Sequence, residues 1–361
     1  MKIAVYGANG YQGRLVLTEA VRRGLNVVLV GRDAARLRHA AATVALSNPD
    51  IRLAGPDIRV APADDHDALV AAFRAADAVV NCAGPFTPTG AAVVRAAIAA
   101  SRHYVDTAGE QPYIKAVFDT FGARAQAAGV TVVPAANDAC VPGDLIAALL
   151  AERLGPLEEI TSVHLITGGG GPSRGSLRSL IESIDIIKAG GLVYDDGDWR
   201  AGLPARKTSI ILPGSAQAVP VARFPLSEVV TIPRHVRVRH VEGLAEAALA
   251  ARLSVPIDPS IIAGLPEGPD EQARATQRFT YLIDAVALDG RRARGVVEGP
   301  DTYGTTAVIA VESVRRLVAG SAKPGVLAPA QAYDPAAFLR SLLPHNVHWT
   351  IQEGEERTAG N

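Results

Sequence analysis

Gly7-Ala8-Asn9-Gly10-Tyr11-Gln12-Gly13 directly follows a short apolar run at residues 2–6 and opens an amphipathic, helix-like segment. Glycines at this spacing between a strand and a helix are typical of the turn that holds the pyrophosphate of a dinucleotide. Gly7 permits the tight turn, Gly10 lets the backbone approach the pyrophosphate, and Gly13 lets the helix pack closely on the sheet. Because a helix N-terminus offers free N–H groups and a favourable dipole to an anion, we predict a dinucleotide site here.

The alternation of apolar runs with helical segments continues through the first 138 residues. Further apolar runs follow at a spacing close to that of a β-α-β unit, about 30 residues. They lie at residues 26–30, 57–61, 77–82, 103–106 and 130–134. Continuous apolar strands between helices favour a parallel sheet that is covered on both faces. Together with the glycine-rich turn, they predict an α/β fold with a doubly wound Rossmann sheet.

The pattern changes beyond residue 144. Residues 160–167 alternate polar and apolar side chains, as a strand with one buried face does. Residues 276–288 and 292–298 predict two antiparallel strands joined by the turn Asp289-Gly290. These features indicate a second α+β domain that contains a mostly antiparallel sheet.

The chain is expected to cross back after this second domain. Residues 304–319 have a strong helical pattern, and we expect this helix to return to the first domain. The predicted parts are a dinucleotide-binding domain at 1–138, a second domain at 139–303, and a C-terminal helix and tail at 304–361 that return to the first domain.

Composition and charge limit the classes of partner. The chain has 361 residues with a formal net charge of −1, and 48% of its residues are hydrophobic. This balance does not favour nucleic acid or an anionic membrane surface, and no apolar stretch of about 18 residues indicates a membrane-spanning helix. No secretory signal precedes the first strand, and Cys82 and Cys140 cannot form a metal cluster or a disulfide framework. We expect a cytoplasmic protein that acts on a small molecule without a metal.

The end of the second strand, Gly31-Arg32-Asp33, indicates which dinucleotide binds. NAD sites usually carry an acidic residue at this tip, which accepts the 2′-hydroxyl of the ribose. Here an arginine can pair with the 2′-phosphate of NADP, and Asp33 is better suited to cap the next helix. The alternative is a solvated Arg32, with Asp33 bound to the ribose. The charge pattern favours NADP.

The fourth strand ends in Asn81-Cys82-Ala83-Gly84-Pro85-Phe86, at the carboxyl edge of the predicted sheet. Small residues there let the ribose approach the backbone, beside the point where the strand order reverses. Cys82 is expected to be a packed small residue, since no His or Lys adjoins it in sequence to activate a thiolate. The predicted cofactor-binding residues are Gly7, Asn9, Gly10, Tyr11, Gln12, Gly13, Arg32, Cys82, Ala83, Gly84 and Pro85.

Several short motifs, distributed over nearly the whole chain, match a family pattern. They are Gly7–Gly13, Asn81–Phe86, Tyr104–Glu110, Pro142–Leu145, Ser173–Ser176, Asp301–Ala307 and Lys323–Gln331. They resemble the saccharopine dehydrogenase-like family, which includes saccharopine reductases and the trans-acting enoyl reductases of lipid assembly. The resemblance implies that the second domain binds substrate and forms a homodimer, and that NADPH reduces a C=N or C=C bond. Asn137, in place of a bulky apolar residue near the expected nicotinamide, implies a more polar pocket.

Hydride transfer needs a substrate held against the nicotinamide and a proton source, and strand ends are where such groups lie. The candidate catalytic residues there are Tyr104, Asn137 and Asp138. Asp138 can donate or relay a proton or bind a substrate amine, and its alternative role is to cap the helix that follows. Arg174, in the glycine-rich loop 168–176, is the candidate to bind a substrate carboxylate. For that loop, solvent exposure or a dimer contact is the alternative.

Three functional hypotheses follow from these observations. The first is an NADPH-dependent reductase that acts on an imine or an activated alkene of a small metabolite. The second is a binding protein that senses NADP without catalysis, because a fold does not fix a function. The third is an enoyl reductase that acts in trans on a carrier-bound lipid. The polar pair Asn137-Asp138 argues against the long apolar groove that this third activity would need.

Overall fold

The structure is a computed structural model that describes residues 1–47, 56–320 and 322–354. The strands are β1 (Lys2–Tyr6), β2 (Asn26–Gly31), β3 (Asp57–Val60), β4 (Ala78–Asn81), β5 (His103–Asp106), β6 (Thr131–Val133), β7 (Leu157–Thr167), β8 (Leu192–Asp195), β9 (Asp198–Ala201), β10 (Ser209–Ile211), β11 (Ala218–Arg223), β12 (Val238–Glu246), β13 (Arg278–Ala287), β14 (Arg292–Pro300), β15 (Gly325–Val326) and β16 (His348–Gly354). The helices are α1 (Tyr11–Arg22), α2 (Ala34–Ser47), α3 (His66–Phe73), α4 (Phe86–Ala99), α5 (Gln111–Ala127), α6 (Val141–Leu154), α7 (Arg174–Glu182), α8 (Ile184–Lys188), α9 (Glu228–Thr231), α10 (Ala247–Leu253), α11 (Pro259–Ile262), α12 (Glu271–Thr276), α13 (Thr302–Val318), α14 (Pro329–Ala332) and α15 (Pro335–Leu342). Short 3₁₀ helices lie at Ile232–Arg234 and Leu343–His345.

The first sheet has seven strands in the order β15-β6-β5-β4-β1-β2-β3, and every neighbouring pair is parallel. Alternate residues of β1 belong to cores on opposite faces, Ile3 and Val5 to one and Ala4 and Tyr6 to the other. Burial on both faces explains why these strands are continuous apolar runs. The strand order reverses between β1 and β4, which is where ligands bind in such sheets. The predicted doubly wound Rossmann sheet is confirmed.

The second sheet has nine strands and is mostly antiparallel, as predicted. Its main order is β10-β11-β12-β7-β13-β14-β16, and β8 joins β12 and β9. Only the pairing of β12 with β7 is parallel among the strands that the structure describes. The hairpin of β13 and β14 turns at Gly290, whose φ of 90° lies in the left-handed region that glycine adopts without strain.

The helix α13 returns to the first domain. It packs against α1, β4 and β5. Glu312, buried in α13, accepts from Arg23 at the end of α1, with Nη1 and Oε2 2.8 Å apart. Burial alone would raise the pKa of Glu312, but the arginines around it hold that pKa below its usual value.

The last strand departs from the expected path. We expected all of residues 304–361 to return to the first domain, but β16 pairs with β14 in the second sheet. Trp349 and Ile351 alternate with exposed residues and pack against the core, so this strand has one apolar face for the sheet. The preceding β15 does join the first sheet, and residues 355–361 lie outside the described ranges.

The buried carboxylate of Asp144 connects α6 to two distant segments, through His235 and through the backbone of Ala330. Asp144 of α6 is fully buried, and its Oδ1 lies 2.9 Å from Nε2 of His235. Its Oδ2 accepts from the backbone N–H of Ala330 at 2.8 Å. Burial alone would lower the pKa of His235, but the charge and hydrogen bond of Asp144 raise it above its usual value.

We expect this pair to make stability depend on pH. Because the folded state raises the pKa of His235, the stabilisation is complete below the unfolded value of 6.5 and is lost as pH rises through the folded value. In urea unfolding at a series of pH values, His235→Gln should lose this slope and about 3 kcal/mol at acidic pH, since Asp144 stays buried without its partner. His348→Gln, at an exposed site, is the control. An unchanged slope in His235→Gln would contradict the assignment.

Candidate functional site

The glycine-rich turn after β1 is tight and leaves the start of α1 free. Gly7 has a φ of 79°, and the N–H of Gly10 donates to its carbonyl oxygen at 2.9 Å. A Cβ on Gly13 would lie 2.8 Å from Cα of Ala8 and closer still to the Gly7 carbonyl oxygen, so glycine is required for this approach. Gly10 caps α1 without a side-chain bond to the helix. The first N–H groups of α1 can therefore hold a phosphate.

At the end of β2, Asp33 caps the next helix and Arg32 is left exposed. Asp33 caps α2, because its Oδ1 accepts from the N–H groups of Ala35 at 2.9 Å and Arg36 at 3.1 Å. Arg32 is exposed and has no hydrogen-bond or ion-pair partner among the residues that the structure describes. A cation without a partner at this strand end suits the 2′-phosphate that distinguishes NADP. The glycine cradle and this arginine together fit NADP.

A loop of the second domain covers the glycine-rich turn; we call residues 264–270 the cover loop. The Tyr11 hydroxyl donates to the carbonyl oxygen of Pro269 at 2.6 Å, and Arg14 forms an ion pair with Glu267. Gln12 likewise donates from Nε2 to the carbonyl oxygen of Tyr303 at 3.1 Å. The side chains of Tyr11 and Gln12 thus hold the second domain, and what they offer a phosphate is their backbone N–H.

Arg174 is bound by the cover loop. Its Nε donates to the carbonyl oxygen of Leu265 at 2.5 Å, and its backbone N–H donates to that of Glu267 at 3.0 Å. These bonds use the Nε–H of the guanidinium and the backbone N–H, so Arg174 holds the cover loop with part of the group that we expected to bind a substrate carboxylate. One turn later in α7, Arg178 is exposed and lines a pocket beside Pro85.

The turn after β4 lies against the glycine-rich turn. A Cβ on Gly7 would lie 2.9 Å from Cβ of Ala83, and Asn81 accepts from the Ala83 N–H at 2.9 Å. Burial and the nearby charge of Asp106 raise the pKa of the Cys82 thiol, so it stays protonated. Cys82 therefore has the character of a packed residue and not of a nucleophile.

Tyr104 supports the turn after β5 from inside the core. It is fully buried, and its hydroxyl donates to Oδ2 of Asp106 at 3.0 Å. Asp106 also accepts from the Tyr113 hydroxyl at 2.7 Å and from the N–H of Ala135 at 2.9 Å. Because burial and the Asp106 charge raise the pKa of Tyr104, its proton is firmly held. We assign Tyr104 no contact with a substrate.

Asn137 links the turn after β5 to the start of α6. Its Nδ2 donates to the carbonyl oxygen of Ala108 at 2.7 Å, and its Oδ1 accepts from the N–H of Cys140 at 2.8 Å. Both polar ends of the amide are therefore used within the protein. The more polar pocket expected from this residue has no support in its contacts.

Asp138 joins the end of β6 to α13 and the second sheet. Its Oδ1 accepts from the Thr306 hydroxyl at 2.7 Å, and its Oδ2 accepts from the Tyr281 hydroxyl at 2.5 Å. It does not cap α6, which begins at Val141 and has Cys140 as its N-cap residue, without a side-chain bond. Burial raises the pKa of Asp138 despite these hydrogen bonds. A carboxyl group with a perturbed pKa at this sheet edge has the character of a functional group.

His164 and Glu228 extend this arrangement, and we did not find them from the sequence. The His164 ring stacks on Tyr281 with centroids 4.0 Å apart, and its Nε2 lies 2.5 Å from Oε1 of Glu228. We call Asp138, Thr306, Tyr281, His164 and Glu228 the junction cluster. A buried His between Val163 and Leu165 in an apolar strand was the available signal. The pairing that brings it to Tyr281 is long-range and is not visible in the sequence.

A family model named for the NADP-binding domain of saccharopine dehydrogenase matches residues 3–133. A lipid droplet localized protein of Caenorhabditis elegans is 31% identical over 187 residues, which are 50% of this chain and 44% of that relative. A trans-acting enoyl reductase of Mycobacterium leprae is 30% identical over 148 residues, 40% of this chain and 34% of that relative. The chain thus matches less than half the length of these relatives.

The overall fold also has a counterpart among solved structures. Apo saccharopine dehydrogenase (L-Glu forming) of Saccharomyces cerevisiae aligns over 98% of this chain and 100% of that one, with a TM-score of 0.62 and 14% identity. At this identity the likeness concerns the fold alone. In the described part of the chain, every helix is too short or too polar to cross a bilayer.

Proposed function

We propose that the protein is an NADPH-dependent reductase, because residues 3–133 match the model of the NADP-binding domain of saccharopine dehydrogenase. Its substrate is a small metabolite with a C=N bond or an activated C=C bond. The reduced nicotinamide, when bound, supplies the hydride. The glycine-rich turn binds the pyrophosphate and Arg32 the 2′-phosphate. The homodimer and the cytoplasmic location stay predictions from the sequence.

The junction cluster is the observation that supports catalysis. Asp138 lies in the segment between β6, which ends at Val133, and α6, at the carboxyl edge where the nicotinamide of a dinucleotide lies in this type of sheet. Burying carboxylates such as Asp138 and Glu228 costs free energy, and carboxyl groups with a perturbed pKa, such as Asp138, cluster at functional sites. In our proposal, Asp138 holds Tyr281 in place and puts a negative charge beside the substrate.

A pocket at the same edge supports a small substrate. It holds about 270 Å³ and is bordered by Pro85, Arg178, Ile181, Glu182, Pro259, Ile262 and Ala263. Most of this border is apolar, and Arg178 has no ion-pair partner within the ranges that the structure describes. We propose that Arg178, which lines this pocket, receives an anionic group of the substrate, whereas Arg174 holds the cover loop.

Reduction of a carrier-bound enoyl chain is the second candidate. Ile261, the chain neighbour of the pocket residue Ile262, is 53% exposed. Exposed apolar side chains beside a pocket can accept an acyl chain. The name of the Mycobacterium leprae relative points in the same direction.

The test follows NADPH absorbance with two probes. One is an imine formed in solution from an α-keto acid and an amino acid, and the other is crotonyl-coenzyme A. Mass spectrometry must show the product with two added hydrogens. Turnover of the imine supports the first candidate, and turnover of the thioester alone supports the second. Tight NADPH binding without turnover of either probe would overturn the reductase proposal in favour of a sensor.

The cofactor preference gives a separate prediction. Arg32→Ala should weaken NADPH binding about 10- to 100-fold, because charge-assisted hydrogen bonds to a phosphate are lost. NADH binding should change little, since NADH has no 2′-phosphate. Titration of cofactor fluorescence measures both. Arg95→Ala, at an exposed position of α4, is the control, and equal effects on NADH and NADPH would refute the role of Arg32.

A further inference from the structure

The reduction proposed above needs a proton, and the junction cluster contains a group suited to supply it. We propose that His164 protonates the substrate as hydride arrives, and that Glu228 positions the imidazole ring. This inference rests on the proposed function. His164 is the catalytic residue in this assignment because it meets the substrate, whereas Glu228 acts through His164.

The contacts of Glu228 fix one side of the ring. Glu228 is fully buried, and its Oε1 accepts from the Ser162 hydroxyl at 2.9 Å as well as facing Nε2 of His164 at 2.5 Å. A carboxylate bonded to one nitrogen of an imidazole sets its tautomer and orientation and stabilises the charge that forms on the ring. The Oε2 atom of Glu228 is buried and has no hydrogen-bond partner in the described ranges. The hydrogen bonds of this carboxylate are therefore made through Oε1, to His164 and Ser162.

The opposite nitrogen of His164 is available. Its Nδ1 has no hydrogen-bond partner in the part of the chain that the structure describes, and the residue keeps 5% of its surface exposed. General acids need a free donor atom within reach of the reacting group. Tyr281 connects the ring to Asp138, because it stacks on His164 and its hydroxyl donates to Oδ2 of Asp138.

The other titratable groups that face the ring are less suited to donate. Tyr281 is fully buried and donates to Asp138, and burial raises its pKa well above the usual value. Asp138 is bound by two hydroxyl donors. Cys140 lies beyond Glu228, and burial and the charge of Glu228 raise its pKa. Among these neighbours, His164 is the one whose donor atom, Nδ1, has no hydrogen-bond partner in the described ranges.

Gly143 in the first turn of α6 allows this arrangement. A Cβ there would lie 2.9 Å from Oε1 of Glu228 and 3.1 Å from its Cγ. Because Gly143 has no side chain, the carboxylate of Glu228 can lie against the first turn of α6. Gly143→Ala should therefore displace Glu228 and, through it, the ring of His164.

The reduction adds one hydride and one proton to the substrate. The substrate carbon accepts a hydride with its two electrons, and a C–H bond forms. The electron pair of the C=N or C=C bond moves to the nitrogen or the α-carbon, which takes the proton from His164. NADPH is oxidised to NADP⁺ and the substrate is reduced. A solvent proton then restores the imidazolium.

The test uses whichever probe, imine or crotonyl-coenzyme A, the wild-type protein reduces. His164→Asn should lower kcat about 100-fold and leave NADPH affinity unchanged, and Glu228→Gln should lower kcat about tenfold. The fall in rate at high pH that an acid catalyst causes should disappear in His164→Asn. Added imidazole should restore rate to His164→Gly, which a purely structural role would not allow.

His240→Asn is the matched control. His240 is also a buried histidine bonded to a carboxylate, with Nδ1 3.0 Å from Oδ1 of Asp195, but it lies outside the junction cluster. Its loss should reduce stability without changing kcat. If His164→Asn turns over like the wild type, or falls only in parallel with His240→Asn, the inference is overturned while the reductase proposal stands.

Proton NMR tests the pair of His164 and Glu228 without a substrate. The short bond between His164 and Glu228 should give a strongly downfield N–H proton resonance in the NADP-bound protein. Glu228→Gln should shift it upfield and His164→Asn should remove it. This resonance also tests the pair if His164→Asn does not fold, because Glu228→Gln remains. Its absence in the wild type overturns the inference, and a wild type that reduces neither probe overturns the proposed function and this acid role with it.

Discussion

Gly13→Ala is expected to reduce NADPH affinity by more than about 100-fold and to destabilise the protein by about 1–3 kcal/mol. The added Cβ would meet backbone atoms of Gly7 and Ala8, which cannot rotate away as a side chain can. Relief requires α1 to move off the turn, and the N–H groups of α1 would then no longer converge on the pyrophosphate. Fluorescence titration with NADPH and urea unfolding measure the two effects.

Gly122→Ala is the control for this substitution. Gly122 lies inside α5, and a Cβ there would meet no atom within 4 Å. Alanine should therefore stabilise the helix by about 0.5–1 kcal/mol and leave NADPH binding unchanged. If Gly13→Ala binds NADPH as the wild type does, the glycine-rich turn does not hold the pyrophosphate.

Asp138→Asn is expected to lower turnover about 100-fold and, at neutral pH, to raise stability. The folded state raises the pKa of Asp138 above 3.8, so the unfolded chain loses this proton first. The free energy of unfolding therefore falls as pH rises from the unfolded pKa to the folded one. An uncharged amide avoids this loss and still accepts one hydroxyl bond. Opposite changes in stability and activity are typical of a residue kept for function.

Calorimetry across acidic to neutral pH and the probe assays above measure both parts of this prediction. Asp106→Asn is the comparison, because Asp106 is also buried with a raised pKa but supports a turn. Its substitution should disturb the four hydrogen bonds that the carboxylate accepts and lower stability. Full turnover in Asp138→Asn would remove Asp138 from the mechanism.

Local sequence patterns predicted the parts of this structure that depend on neighbours in the chain. The glycine spacing identified the turn after β1, and Asp33 was predicted correctly as a cap because its bonds reach only two and three residues ahead. The return of the helix α13 was also visible, since its long helical pattern follows the last hairpin. In each case the interacting atoms are close in sequence or the pattern is long.

The side-chain assignments at strand ends were less predictable. Tyr104 was expected near the substrate, yet it is the second residue of β5 and its side chain points to the core. The partners of Asp138 are 143 and 168 residues away. His164 and Glu228 meet only because β7 and α9 are brought together by the second sheet. Such contacts depend on strand register and domain packing, which a single sequence does not display.

The strand β15 makes the first sheet discontinuous in the chain. Its seventh strand, Gly325–Val326, pairs with β6 across nearly 200 residues of intervening second domain, an interval on the order of a whole domain. During synthesis the first six strands emerge long before the strand that covers the β6 edge. Until then the nascent domain presents an open edge that can pair with another chain. A fragment that ends at residue 138 would keep that edge permanently, so gene truncation and domain exchange must carry the C-terminal segment along.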